Sequence, residues 1–306
     1  MDDLYHKAVL LKESIDGVVW EKDGIYLDLT FGGGGHSKAL LEQLGPKAKV
    51  IALDQDKKAL ERKIADDRLY LFHQNFKYIG ALLKSQEIHQ VSGILADLGV
   101  SSHQIDTPER GFSTRFNHLL DMRMNQVEGK ESALDIINTY SHKKLTEIFM
   151  TYGELPKSHD IAQKICKERE KKKIETTFDL IQLFEKEISP YKKQKHFAKL
   201  FQALRIEVND EIAILKRLLL ESPNYLKPKG RIAIISYHSL EDRLVKRFFK
   251  FGNFHKEPQK DFYGNVIGAP LEALFIKAIK ASENEIKLNS RARSARLRIA
   301  QKKPLA

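Results

Sequence analysis

Cysteine is all but missing from this chain: among 306 residues only Cys166 carries a thiol, which excludes an intramolecular disulfide framework and a zinc site built on cysteines. No cluster of His, Cys and Asp has metal-ligand spacing, so no metal is expected. Long apolar runs are wanting too. Nothing reaches the roughly 18 apolar residues of a membrane-spanning helix, and the opening Met1-Asp-Asp-Leu-Tyr-His-Lys7 lacks the basic-then-apolar order of a secretory signal. A soluble, cytosolic protein with no membrane partner is the expectation. Acidic residues are in deficit: 41 Asp plus Glu face 52 Lys plus Arg, a formal net charge of +11. Such an excess favours a polyanionic partner, RNA or DNA. From Ile286 to Ala306 the basic residues Lys287, Arg291, Arg293, Arg296, Arg298, Lys302 and Lys303 meet no acid, and the stretches from Lys164 to Lys173 and from Lys192 to Lys199 are basic as well.

What is present is a run of four glycines. Ile25-Tyr-Leu-Asp28-Leu-Thr-Phe-Gly-Gly-Gly-Gly35-His36-Ser37 is an apolar strand that ends at a carboxylate and then opens a helix on glycines. Without Cβ atoms to shield them, the backbone N–H groups of such a turn can lie against a nucleotide-like ligand. Gly-Lys-Ser/Thr is missing, which argues against a phosphate-gripping P-loop. A second strand, Val50-Ile-Ala-Leu53, also ends in an acid, Asp54, positioned to accept hydrogen bonds from a ribose diol. A third apolar run, Val91–Ala96, ends in Asp97. Three acids at three strand tips suit a sulfonium cofactor and an amine substrate better than a pyrophosphate.

Short strands alternate with helical segments through the first hundred residues: Ile25–Leu29, a helix from Ser37 to Leu44, Val50–Leu53, a helix over Lys57–Ile64, Leu69–Phe72, a helix over Tyr78–Lys84, and Gly93–Ala96. This alternation predicts a parallel sheet. From 103 to 204 the chain is polar and helical in period, and alternation then resumes with an amphipathic helix over Val208–Leu220, the turn Lys227-Pro-Lys-Gly230 and strand Ile232–Ser236. The expected organisation is a discontinuous α/β domain, 1–102 and 205–306, interrupted by a helical insertion at 103–204 that serves substrate recognition. Leu297-Arg-Ile299 alternates like a half-buried strand and is expected to end an antiparallel hairpin at the sheet edge.

Seven segments carry a resemblance. Thr30-Phe-Gly-Gly-Gly-Gly-His-Ser37, Asp97-Leu-Gly-Val-Ser-Ser102, Glu109-Arg-Gly-Phe-Ser113, Asp121-Met-Arg-Met124, Phe201-Gln-Ala-Leu-Arg-Ile206, Ser236-Tyr-His-Ser-Leu-Glu-Asp-Arg243 and Arg291-Ala-Arg-Ser294 run co-linearly over almost the whole chain. In this order they resemble the MraW (RsmH) 16S ribosomal RNA cytosine-N4 methyltransferases. The resemblance implies a class I, Rossmann-like, S-adenosylmethionine-dependent methyltransferase fold. It further implies transfer of a methyl group to the N4 amine of a cytidine in the decoding region of 16S ribosomal RNA, within a small-subunit particle. By the same resemblance Gly34, Gly35, His36, Asp54, Phe76, Asp97 and Gln104 contact S-adenosylmethionine. Homo-oligomers stay open.

On chemistry, an exocyclic amine of a base is a poor nucleophile because its lone pair is delocalised into the ring. Asp97, followed by the carbonyl of Leu98, could accept the amine's hydrogen bonds; otherwise Asp97 is a helix N-cap. Asp28 either braces the glycine loop or meets the methionine ammonium. Phe76 either lies on adenine or packs in the core, and His36 either touches the methionine portion or caps the glycine loop. In Ser236-Tyr237-His238-Ser239 the functional reading has Tyr237 stacking on the base and His238 polarising or positioning it; the other reading is a helix cap with Ser239 and Asp242. Arg115, Arg123, Arg205, Arg291 and Arg293 are the candidate phosphate contacts, since a guanidinium binds phosphate through two parallel bonds. Three rivals remain: another nucleic-acid or small-molecule amino-methyltransferase, a non-catalytic RNA-binding assembly factor and, weakest because the final glycine of its fingerprint is absent, a nicotinamide dehydrogenase.

Overall fold

The computed structural model of the chain describes residues 8–62, 64–128, 131–255, 257, 261, 262 and 267–304. Its first part is α1 (Leu11–Val18), β1 (Ile25–Asp28), α2 (Gly35–Gln43), β2 (Lys49–Asp54), β3 (Leu69–His73), α3 (Ile79–Ser85) and β4 (Val91–Asp97). Helices α4 (Ser102–Asp106), α5 (Ala133–Thr139), α6 (His142–Thr151), α7 (Ser158–Arg169), α8 (Thr177–Glu185) and α9 (Pro190–Asn209) follow. The chain then returns through α10 (Glu211–Tyr225), β5 (Leu226–Ser236), α11 (Ser239–Phe251), β6 (Leu271–Ala273), α12 (Glu283–Leu288) and β7 (Arg296–Lys302). Two compact units result, one of residues 1–99 with 212–306 and one of residues 100–211. Helix α9 begins on Ser189-Pro190, with proline at the first helical position where its missing N–H costs nothing, and runs unbroken past 204 and 205. The chain therefore changes unit after Glu211, not at 205.

In the sheet unit seven strands lie in the order β3-β2-β1-β4-β5-β7-β6. β1 to β5 pair in parallel, whereas β7 runs antiparallel to both β5 and β6. This is the α/β architecture, a mostly parallel sheet flanked by helices, that the alternation predicts. Strand pleating sends successive side chains to opposite faces. Leu27, Ile51, Ile94, Ile232 and Ile234 join a core with α3, α10 and α11 through Leu82, Leu218 and Phe248. Their neighbours Tyr26, Val50, Leu95, Ala233 and Ile235 join a second core with α1 and α2 through Val18 and Leu40. Both faces are covered, which is why β4 is buried at every residue from Val91 to Ala96, Ser92 included, with no alternation of buried and exposed positions.

Three sequence expectations need correction. Residues 57–61 form a 3-10 helix, not an α-helix. The single helix expected over 208–220 is the junction of α9 and α10, broken at Asp210 in a left-handed conformation with φ 59°. The turn expected at 227–230 is a bulge within the eleven-residue β5, where the register against β4 shifts and Lys229 is left-handed with φ 66°. As expected, Leu297 and Ile299 lie in a strand, β7, that pairs antiparallel with β6 at the edge of the sheet, β6 taking the outermost place. No helix among the described residues is long and apolar enough to cross a membrane.

The helical unit has its own core, including Phe149, Ile165, Leu180, Leu200 and Leu204. Two of the quoted motifs, 109–113 and 121–124, meet within it beside the end of α9. Arg110, 2% exposed, donates to the carbonyls of Arg123 and Met124 at 2.9 Å each. Asn209, at the end of α9, accepts from the Met124 amide and donates to the Met122 carbonyl, both at 2.8 Å.

Candidate active site at the carboxyl ends of the strands

The turn after β1 owes its shape to glycine. Gly34 has φ 79° and caps α2, a conformation costly for residues with a side chain, and a Cβ there would also strike the Phe31 ring at 2.9 Å. The turn is then fastened to the next strand: the Gly32 amide donates to Asp54 at 2.7 Å, and the other Asp54 oxygen accepts from the Asp56 amide at 2.8 Å. Gly35 opens α2 against Ala8, where a Cβ would come within 2.9 Å of the alanine methyl. A carboxylate oxygen accepts more than one hydrogen bond, so Asp54 is suited to hold the turn and a ribose hydroxyl together.

Asp28 is committed inward. Its carboxylate accepts from the Ser37 hydroxyl at 2.6 Å and the Thr30 amide at 3.2 Å, and the residue is fully buried. Of the two readings left open for it, these contacts are those of a brace for the turn. Thr30 links the first and fourth strands, its hydroxyl accepting from the Asp97 amide at 2.7 Å.

Asp97, at the tip of β4, receives the Tyr237 hydroxyl at 2.8 Å on Oδ1. Among the described residues no donor is bonded to its Oδ2. The sequence reading had Tyr237 stacking on a base and did not anticipate this bond. Burial pushes the Asp28, Asp54 and Asp97 carboxyls each up to about 6. For Asp97 the nearby His36 and the Tyr237 hydroxyl pull the other way, while Asp28 and Glu241 add to the rise. Burial and the Asp97 charge push the Tyr237 phenol well above its ordinary range, so it remains a donor. His36, 4% exposed, donates from Nε2 to the Val9 carbonyl at 3.1 Å. Desolvation lowers its pKa in spite of Asp97, so the ring is neutral at pH 7.

His238 stands at the N-cap of α11, its Nε2 3.1 Å from Oε1 of Glu241, with both side chains nearly inaccessible. The other Glu241 oxygen accepts from the Tyr237 amide at 2.9 Å. The capping partner is thus Glu241, three residues beyond His238, and Asp242 is instead engaged by Arg296 and Arg298. Phe76 opens a one-turn 3-10 helix after β3 and is partly buried against the core. Gln104 lies in the helical unit, where its Oε1 accepts from the Ser101 amide and its own amide donates to the Ser101 hydroxyl, a closed capping box.

The sequence model of the MraW methylase family matches residues 3–303. The chain is 50% identical over 298 residues to the ribosomal RNA small subunit methyltransferase H of Christiangramia forsetii, covering 97% of this chain and 98% of that protein. To the protein of the same name from Parabacteroides distasonis it is 46% identical over 302 residues, with 98% of each covered. The chain belongs to the MraW methylase family. Among solved structures, an rRNA methylase from Streptococcus thermophilus is similar at 11% identity and TM-score 0.38, with 95% of each chain covered. Fibrillarin from Aeropyrum pernix is similar at 7% identity and TM-score 0.42, with 97% of this chain and 76% of that one covered.

For an MraW methylase, the arginines matter next. Arg123 grips both oxygens of Asp121, and Arg205 grips both oxygens of Glu211 at 2.8 and 2.9 Å, so these two forks are already turned to internal carboxylates. Arg115 is bonded to Asp106 at 2.6 Å but stays largely exposed. Arg291 is half-buried and Arg293 exposed in the one-turn 3-10 helix before β7. Sequence reasoning missed Glu241, Thr30 and the Ser37 hydroxyl. Only Glu241 left a signal, an acid at the third position after a helix cap.

Proposed function

We propose that the protein transfers a methyl group from S-adenosylmethionine to the exocyclic N4 amine of a cytidine in the decoding region of 16S ribosomal RNA. The observation that carries this reading is the Asp97 carboxylate at the β4 tip, steadied on one oxygen by Tyr237 with the other oxygen open to an amine. Family membership supports methyl transfer, and relatives that carry the name small subunit methyltransferase at about half identity over nearly full length support the ribosomal substrate.

S-adenosylmethionine, held by the turn at Gly34 and Gly35 with His36 and Phe76 around it and Asp54 on its ribose, would supply an electrophilic methyl group. The chain does the rest. Asp97, ionised at neutral pH with its pKa near 6, accepts an N–H of the cytosine amine, so that electron density on nitrogen is less drawn into the ring. Tyr237 fixes the carboxylate's orientation, while holding the methyl donor and the amine in line can contribute roughly 7–11 kcal/mol in favourable systems. After transfer the amine nitrogen carries a surplus proton, and Asp97 is the acceptor at hand. His238, held by Glu241, orients the base from the β5 side. The helical unit, with Arg115, and the segment bearing Arg291 and Arg293 are assigned to RNA contact. On this reading the enzyme works in the cytosol, on the small-subunit particle.

Mass-spectrometric mapping of methylated nucleosides in ribosomal RNA, with the gene deleted and then restored, tests it. N4-methylated cytidine should vanish from the 16S decoding region on deletion. It should return with the wild-type gene and fail to return with Asp97→Ala. A modification profile unchanged by deletion overturns the reading.

A further inference from the structure

Tyr237 orients the Asp97 carboxylate, but a bond to the side chain leaves the backbone beneath it to be fixed by other means. That backbone lies where β1 turns away. The Leu29 amide still donates to the Leu95 carbonyl of β4 at 2.9 Å, whereas the Phe31 amide already turns to the other side, to the Leu53 carbonyl of β2 at 2.8 Å. Further along β4 the Asp97 amide is met by a side chain: the Thr30 hydroxyl accepts it at 2.7 Å. From β5 the Ile235 carbonyl accepts the next amide, that of Leu98, at 3.0 Å. The tip of β4 is thus pinned from both neighbouring strands, and on the β1 side the pin is a hydroxyl. Thr30 is itself held. Its amide donates to one oxygen of the buried Asp28 at 3.2 Å, and the other Asp28 oxygen takes the Ser37 hydroxyl at 2.6 Å. A β-branched side chain has few χ1 choices, so a fixed Thr30 backbone aims its hydroxyl in a fixed direction.

We propose that Thr30 is a positioning residue for methyl transfer: by accepting the Asp97 amide it sets the place at which the carboxylate stands beside the target amine. Tyr237 fixes the rotation of that carboxylate and Thr30 its position along the strand, so the two hydroxyls hold one group from different directions. Asp28, which the chemistry above does not use, contributes by holding Thr30. Alignment is worth this much apparatus because reacting atoms must meet at about 3–3.5 Å, and a misplacement near 1 Å can cost about 100-fold in rate. This rests on the methyl-transfer reading above, in which Asp97 accepts a hydrogen of the amine, and it adds a residue to that site.

Thr30→Val keeps the size and the branching but removes the acceptor, while Thr30→Ser keeps the acceptor. Single-turnover methylation of small-subunit particles from cells lacking the enzyme is measured with both substrates saturating, alongside cofactor affinity by calorimetry and hydrogen exchange at the Asp97 amide. Thr30→Val should lower the rate about 10- to 100-fold, with cofactor affinity and steady-state KM for RNA changed by less than about twofold. Its Asp97 amide should exchange faster than in wild type. Thr30→Ser should recover most of the rate and the slow exchange. The sharpest comparison is made without the carboxylate: in an Asp97→Ala background Thr30→Val should cost no further rate, because a residue that acts through Asp97 has nothing left to position. A further loss of about tenfold in that background, a loss confined to cofactor affinity or KM, or a serine variant as slow as the valine one overturns the proposal. If Thr30→Val fails to fold by circular dichroism, Thr30→Ala, which also lacks the acceptor, takes its place under the same criteria. A wild type that methylates no ribosomal RNA sinks the substrate reading instead. Amide exchange then decides alone, and an Asp97 amide no faster in Thr30→Val than in wild type overturns the hold by Thr30.

Discussion

At the residue scale the decisive contact is the Tyr237 hydroxyl on Asp97, because it links a phenol from the β5 loop to a carboxylate from β4. The bond favours the ionised carboxylate, so removing it must raise the Asp97 pKa above its present value near 6. Tyr237→Phe should therefore move the acidic limb of the rate profile upward by about one pH unit, a shift equivalent to 1.4 kcal/mol. Single-turnover methyl transfer from pH 5.5 to 8.5 is the measurement. The loss should be greatest at the acid end, with affinity for the cofactor unchanged; a uniform loss at every pH would leave Tyr237 a mere packing residue. Asp97→Ala should depress the single-turnover rate by more than any loss of cofactor affinity, since an interaction formed mainly in the transition state changes the chemical step. If saturation with both substrates restores the wild-type rate, Asp97 is only a binding residue.

At the scale of elements, β7 and α11 are joined by a buried ion pair: Asp242 takes Nε of Arg298 at 2.7 Å, and their side chains are 8% and 11% exposed. Bringing two charges out of water is costly, and removing one partner strands the other. Asp242→Ala should thus lower stability by about 3–5 kcal/mol in urea unfolding. Replacing both partners together, Asp242→Leu with Arg298→Met, should recover most of that loss because no lone buried charge is left, Arg296, the other arginine on Asp242, being half exposed. A double variant no better than the single one would mean that the pair's geometry, not its charge, holds the tail strand. The break between α9 and α10 belongs to this scale too. A hydrophobic period running across Asp210 reads as one helix, yet the left-handed backbone at that residue divides it.

Over the whole molecule the three strand-tip acids oppose the fold they serve. Asp28, Asp54 and Asp97 are near 6 in the folded protein against an ordinary 3.8, so the folded state binds protons more tightly than the unfolded one between those values. Stability from these groups therefore falls as pH rises through that window, and the penalty is complete above it. Asp28→Asn keeps the shape without the charge. It should unfold at higher urea than wild type at pH 8, by at most about 3 kcal/mol, which is the worth of a two-unit shift. The difference should close between about pH 6 and pH 4, where wild-type Asp28 is protonated in the fold. A gap independent of pH would show that Asp28 is not raised.

The order of strands and helices, the glycine turn and the three acids at strand tips were legible in the sequence, because each is written in neighbouring residues: apolar runs, a local breaker and the polar residue that ends a run. So was the basic character of the tail and the insertion. Tertiary structure alone decided which polar groups are already engaged. Arg123 and Arg205 look like phosphate forks until Asp121 and Glu211 are seen to fill them. Tyr237 and Asp97 are 140 positions apart, and no local pattern marks such a pair. β7 lies inside the sheet because a three-residue strand, too short to announce itself, covers its edge. Local pattern determines how a segment folds and which side it buries, whereas the partner of a polar side chain depends on what the fold brings across from elsewhere.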